Sequence, residues 1–150
     1  MNQSRINRVK GVEKIIENGA ILAKESVLMC QQRLDEQQAR LVQLSDYLQE
    51  YAAGLGFATG GTSQAFALQN YRAFMGKIEQ TIVHQKTVVA QIQAELIACQ
   101  HAAAEANSQH RSVEKLRGRF EAERNRAQDK QEQSVNDAHA ALRQHNPLGL

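Results

Sequence analysis

The sequence predicts an all-α chain, a long two-helix antiparallel coiled-coil hairpin with the second helix overhanging the first. Three observations predict it. Apolar residues recur every ~3.5 residues along two long segments. One glycine-rich stretch separates those segments. The single proline, Pro147, stands almost at the end of the 150 residues, so nothing upstream forbids helix.

The first helix is expected over about residues 4–55. Taking Ile6 as position a, the a positions are Ile6, Glu13, Ala20, Val27, Leu34, Leu41, Leu48 and Leu55. The d positions are Val9, Ile16, Ala23, Cys30, Gln37, Leu44 and Tyr51. Only Glu13 and Gln37 break the apolar pattern. A stripe of this width faces one partner helix rather than a broad core.

Gly54, Gly56, Gly60 and Gly61 then make continued helix costly, so a loop is expected over about residues 56–63. Thr62 or Ser63 is suited to cap a second helix. That helix is expected over about residues 64–144, ended by His145, Asn146 and Pro147. Its stripe alternates steps of three and four through Leu68, Tyr71, Met75, Ile78, Ile82, Gln85, Val89, Ile92, Leu96, Cys99, Ala103 and Ala106. The same register continues through His110, Val113, Arg117 and Phe120 to Arg124, with weakening apolar character. Gly11, Gly19, Gly76 and Gly118 are isolated within the helices and are positions where bends would be tolerated. The whole of residues 1–150 reads as one coiled-coil domain.

A short connection makes the helices antiparallel neighbours. Centring the turn near residue 60 pairs positions whose numbers sum to about 121, so helix one would end opposite about residue 115. About 30 residues of helix two would project beyond it, on the order of 45 Å.

Composition agrees with a thin bundle. Aromatics are 5% with no Trp, too few to fill a large centre. A formal net charge of +2 gives no overall field to gather nucleic acid. The start, MNQSRINRVKGVEK, lacks the apolar core of a secretory signal, and no apolar run is long enough to span a membrane. Two cysteines on apolar stripes fit a reduced, intracellular chain.

Function is therefore expected on exposed faces. Beside the seam, the g positions near the loop are Arg40, Tyr47 and Gly54 on helix one and Ala67, Phe74, Thr81 and Val88 on helix two. The e flank is polar, with Ser45, Ala52, Arg72, Glu79 and Lys86. The turn position places Tyr47 beside Phe74, next to Leu44, Tyr51 and Ile78. This group is either a docking patch or a widened seam with both rings folded over the stripe. The overhang mixes Arg111, Lys115, Arg117, Arg119, Arg124, Arg126 and Lys130 with Glu114, Glu121, Glu123 and Asp129 around Val113, Leu116 and Phe120. A charged helix face is ordinarily solvated. A lone helix of this length, however, gains little without something to pack on.

Several chemistries are disfavoured. Gly56 and Gly61 have P-loop separation, but Thr62 stands where the lysine is required and no strand precedes it. His84, His101, His110, His139 and His145 include no i, i+4 pair for a metal. Cys30 would face residue 91, out of disulfide reach of Cys99, so both thiols are expected to fill the seam. Carboxylates are scattered with no pocket to tune them, so neither catalysis nor a cofactor is expected.

Read together, the segments resemble the bacterial flagellar export protein FliJ family over nearly the whole length. Leu44 to Tyr51 (LSDYLQEY) is similar to the family's paired-tyrosine segment before the turn. Tyr71 to Gln80 (YRAFMGKIEQ) is similar to its opening of helix two. The run from Glu114-Lys115-Leu116 to Arg124, then Glu132-Gln133 and Asp137, is similar to its charged C-terminal signature. The resemblance implies a soluble, non-enzymatic component of the flagellar type III export apparatus. Its place would be cytoplasmic, peripheral at the inner membrane at the flagellar base. Its partners would be a hexameric FliI-like export ATPase, bound as a stalk, the export gate protein FlhA, and export chaperones. The membrane would be met only through proteins. The resemblance puts the gate-binding surface at Leu44, Tyr47, Tyr51, Phe74, Ile78 and Gln85. The ends of both helices, including Arg111, Lys115, Arg119, Phe120 and Arg124, are expected to face the ATPase. Two alternatives stay open: the stalk of a virulence-type secretion system, and a structural rod that self-associates through the same flank.

Overall fold

The computed structural model describes residues 2–54 and 64–145. They form two helices, α1 (Asn2–Gly54) and α2 (Gln64–His145), and no other regular element occurs among the described residues. α1 begins and ends within a few residues of its stripe, whereas α2 runs on well beyond Arg124. The expected loop and its capping residues, Thr62 and Ser63, lie outside the described residues. Both helices run unbroken through Gly11, Gly19, Gly76 and Gly118.

The helices pair antiparallel as a coiled-coil hairpin, and their contacts fall into two compact units. The first is Leu22–Ala103. Its core is Cys30, Leu34, Val89, Ile92 and Leu96, with Val27, Leu41, Val88 and Cys99 packed against it. Fully burying each aliphatic side chain here contributes about 1.5–3 kcal/mol, before conformational entropy is set against it. One polar rung crosses the seam. Gln85 Nε2 donates to Gln37 Oε1 at 2.8 Å and to the Gln37 carbonyl oxygen at 3.0 Å. The surface pair Arg33–Glu95, at 3.1 Å, is more than half exposed on both sides and adds little.

The second unit comprises Met1–Ile21 and Ala104–Leu150. Ile6 is fully buried and Ala20 nearly so. Glu13 lies against Arg117, with Oε2 and Nε at 2.8 Å, and Arg117 reaches Glu121 at 3.6 Å. The Glu13–Arg117 contact is close, but Arg117 Nε makes no hydrogen bond of good geometry, so its value is mainly coulombic. Near the start of α1, Arg124 Nη1 donates to Gln3 Oε1 at 3.3 Å.

Within these units every stripe position from Ile6 to Leu48 and from Tyr71 to Arg124 is buried or half-buried. The expected register holds at Gln37, which meets Gln85, but not at Cys30 or nearer the start of α1. Cys30 faces Cys99, not residue 91, and α1 reaches Arg124 rather than stopping near residue 115. The projecting part is therefore shorter than expected and begins after Arg124; residues 125–145 are exposed throughout. The reason is physical. Apolar stripes with the same 3–4 repeat match equally well after a slip of one heptad, so apolar matching alone cannot choose. The polar position Glu13 discriminates. In the expected register Glu13 would face Ser108, leaving a half-buried carboxylate without a cation; in the observed one it meets Arg117.

Candidate functional site

Two surfaces carry the residues singled out in the sequence, one in each unit. The first lies near the loop end of the Leu22–Ala103 unit. Leu44, Tyr47 and Tyr51 follow one another at three and four residues on α1, and Phe74 and Ile78 are four apart on α2. Helical periodicity therefore brings all five to one side of the seam. They line a shallow depression of about 240 Å³ that is almost wholly apolar.

The aromatic arrangement differs from the expected one. The Phe74 ring stacks edge-on against Tyr51, centroids 5.1 Å apart at 74°, not against Tyr47. Tyr71 extends the group, 6.5 Å from Tyr51 at 61°. The stacking partner of Phe74 on α1 therefore stands four residues, one helical turn, beyond the expected one. Edge-to-face pairs of this kind hold their rings in fixed orientation. Tyr47, Tyr51 and Phe74 nonetheless stay 51%, 44% and 45% exposed, so the rings are not folded away over the seam. Leu44 and Ile78 are half-buried and form the floor.

Tyr71 is a residue the sequence reading placed in the stripe but not at this surface. Its position on the second stripe, opposite Tyr51, was the available signal. Its hydroxyl is buried and has no hydrogen-bond partner among the described residues. Gln85 stands apart from the group: it is held in the seam by Gln37 and does not line the depression.

The second surface belongs to the other unit. Arg111, Lys115 and Arg119 are exposed and four residues apart, forming a row of like charges along one face of α2. None has an ion-pair partner among the described residues. Like charges at this spacing repel and slightly destabilise a helix, an energy that an anionic partner would recover. Phe120 and Arg124 lie elsewhere, half-buried on the stripe that faces α1. The five residues expected at the ATPase face therefore do not form one cluster. They also sit on the paired length of α2 rather than on the projecting one. Beyond Arg124 the stripe continues uncovered, and Ala127, Gln131 and Val135 line an open trough along α2.

Among the described residues no group of three or more histidine, cysteine or acidic side chains is placed to hold a metal. No described helix is long and apolar enough to cross a membrane.

No curated protein and no solved structure matches the chain. The family model described as Flagellar FliJ protein matches residues 23–149, which include the whole aromatic surface and most of both stripes. A chain of two long paired helices agrees with that match; the chain belongs to the flagellar FliJ protein family and is a component associated with the flagellar export apparatus.

Proposed function

We propose that the chain is an adaptor of the export apparatus that acts by binding alone, docking on the export gate protein FlhA through Leu44, Tyr47, Tyr51, Phe74 and Ile78. The observation that carries this reading is the half-exposed aromatic depression. Rings already fixed by edge-on stacking lose little freedom on binding, and aromatic anchors commonly dominate interface energies. Gln85, expected on the same surface, is instead occupied by Gln37 in the seam and is left out of the docking set.

The cationic row of Arg111, Lys115 and Arg119 is assigned to an acidic face of the hexameric export ATPase. The uncovered stripe beyond Arg124 supplies a seat for a further helix, from that ATPase or from an export chaperone. No bond is made or broken in this scheme. The adaptor shifts the states of its partners by touching one state of each more favourably than another. The work is done at a membrane-embedded gate, and contact with the membrane runs through that gate.

Titration of the purified FlhA cytoplasmic domain with the Tyr47→Ala/Phe74→Ala chain tests the docking surface. Loss of two aromatic anchors is expected to weaken binding by at least ~30-fold, with far-ultraviolet circular dichroism unchanged. Undiminished binding by a chain of intact helicity would remove the proposal.

A further inference from the structure

Cys30 and Cys99 meet across the seam of the Leu22–Ala103 unit. Their Sγ atoms are 3.2 Å apart, and 69 positions separate them in the chain. Both are free thiols. Cys30 is buried within the apolar cluster, while Cys99 is half-buried at its edge. A disulfide needs the two sulfurs at about 2.05 Å, so closure requires them to approach by only ~1.2 Å. The contact is not forced by the stripe pattern, since each stripe offers many seam positions and the register sets the two thiols on the same rung.

We propose that Cys30 and Cys99 are a disulfide-forming pair, a modification site that takes a low-molecular-weight disulfide and clamps the two helices in register. The more accessible Cys99 thiolate attacks one sulfur of the small disulfide, giving a mixed disulfide on Cys99 and releasing one small thiolate, which takes up a proton. The Cys30 thiolate then attacks the Cys99 sulfur. The Cys30–Cys99 bond forms, the mixed disulfide breaks, and the second small thiol leaves. In sum two protein thiols are oxidised and one small disulfide is reduced to two thiols. Cys30 suits the second step better than the first. Its hydrogen bond with Cys99 raises its thiol above the usual range, and burial adds to this, which disfavours Cys30 as the first nucleophile. Modification of Cys99 removes the first of these restraints.

The bond would act on the ambiguity described above. A slip of one heptad keeps the apolar stripes matched, but it would separate the two sulfurs by a full heptad rise and is forbidden once they are joined. Closing a long loop also restrains the unfolded chain.

The test uses the full chain under anaerobic conditions with glutathione disulfide, read by intact mass, by maleimide labelling after denaturation, and by thermal unfolding. The expected product is a monomer lighter by two hydrogens, without reactive thiols, whose thermal midpoint rises by on the order of 10 °C and returns on reduction with dithiothreitol. The Cys30→Ser chain, lacking the second nucleophile, should retain glutathione on Cys99. A wild-type chain that stays reduced, keeps a stable glutathione adduct or forms covalent dimers would overturn the proposal. A closed bond without a rise in midpoint would overturn the clamping role. The wild-type arm decides even where the serine variant does not fold.

Discussion

At the scale of single residues, the positions that break the apolar stripes carry more information than those that keep them. Glu13 and Gln37 are the two polar members of the α1 stripe, and each finds a polar member of the α2 stripe: Arg117 for Glu13, Gln85 for Gln37. Pairs of this kind stabilise little in themselves, because desolvation offsets most of the attraction. Removing one partner is costlier, since the other is left in a half-dry seam. Glu13→Ala is therefore expected to lower unfolding stability by about 1–2 kcal/mol, less than for a fully buried pair because Arg117 keeps some solvent. The double variant Glu13→Leu/Arg117→Leu should recover most of that loss. Urea denaturation of the three chains measures both effects. A double variant as weak as the single one would mean that the seam depends on the charge itself.

At the scale of elements, α1 and α2 were legible almost entirely. The absence of internal proline and the unbroken 3–4 alternation gave their extent to within a few residues. The half-buried place of Val88 beside the seam was legible from the apolar flank in the same way. What the pattern could not give was the register, because it repeats. The aromatic surface was legible as a set, since Leu44, Tyr47, Tyr51, Phe74 and Ile78 share one side in any register near the true one. Its internal partners were not, which is why Phe74 stacks on Tyr51 instead of Tyr47. The cationic residues scattered for another reason: Phe120 and Arg124 belong to the seam, which still has α1 opposite at that point. Glycine offers a test of the helices themselves. A Cβ added at Gly19 or Gly118 would meet nothing within 4 Å. Gly19→Ala and Gly118→Ala should each raise stability by about 0.5–1 kcal/mol through helix propensity alone. A loss of stability in thermal or urea unfolding would show that these sites need a backbone freedom that alanine lacks.

At the scale of the whole molecule, one pair of helices serves two compact units, and the length of α2 beyond Arg124 serves neither seam. Such a stretch adds helix without adding packing. A chain ended after Gln128 should unfold within about 0.5 kcal/mol of the full chain, while losing helical signal in proportion to its length. A larger fall in stability would mean that this segment packs back on the pair. If the rod alternative held instead of the adaptor, the same aromatic surface would join copies of the chain. Sedimentation equilibrium would then show mass rising with concentration, and Tyr47→Ala/Phe74→Ala would abolish the rise.

The polar rungs have a consequence for assembly as well. They specify where along α1 a given stretch of α2 must lie, but not which molecule supplies it. Two copies that exchanged their second helices would satisfy Glu13, Gln37 and their partners just as well as one copy folded on itself. Only tethering, which keeps a chain's own α2 at high local concentration, favours the closed form. At sufficiently high protein concentration the same recognition code would therefore build an exchanged dimer that keeps both polar rungs.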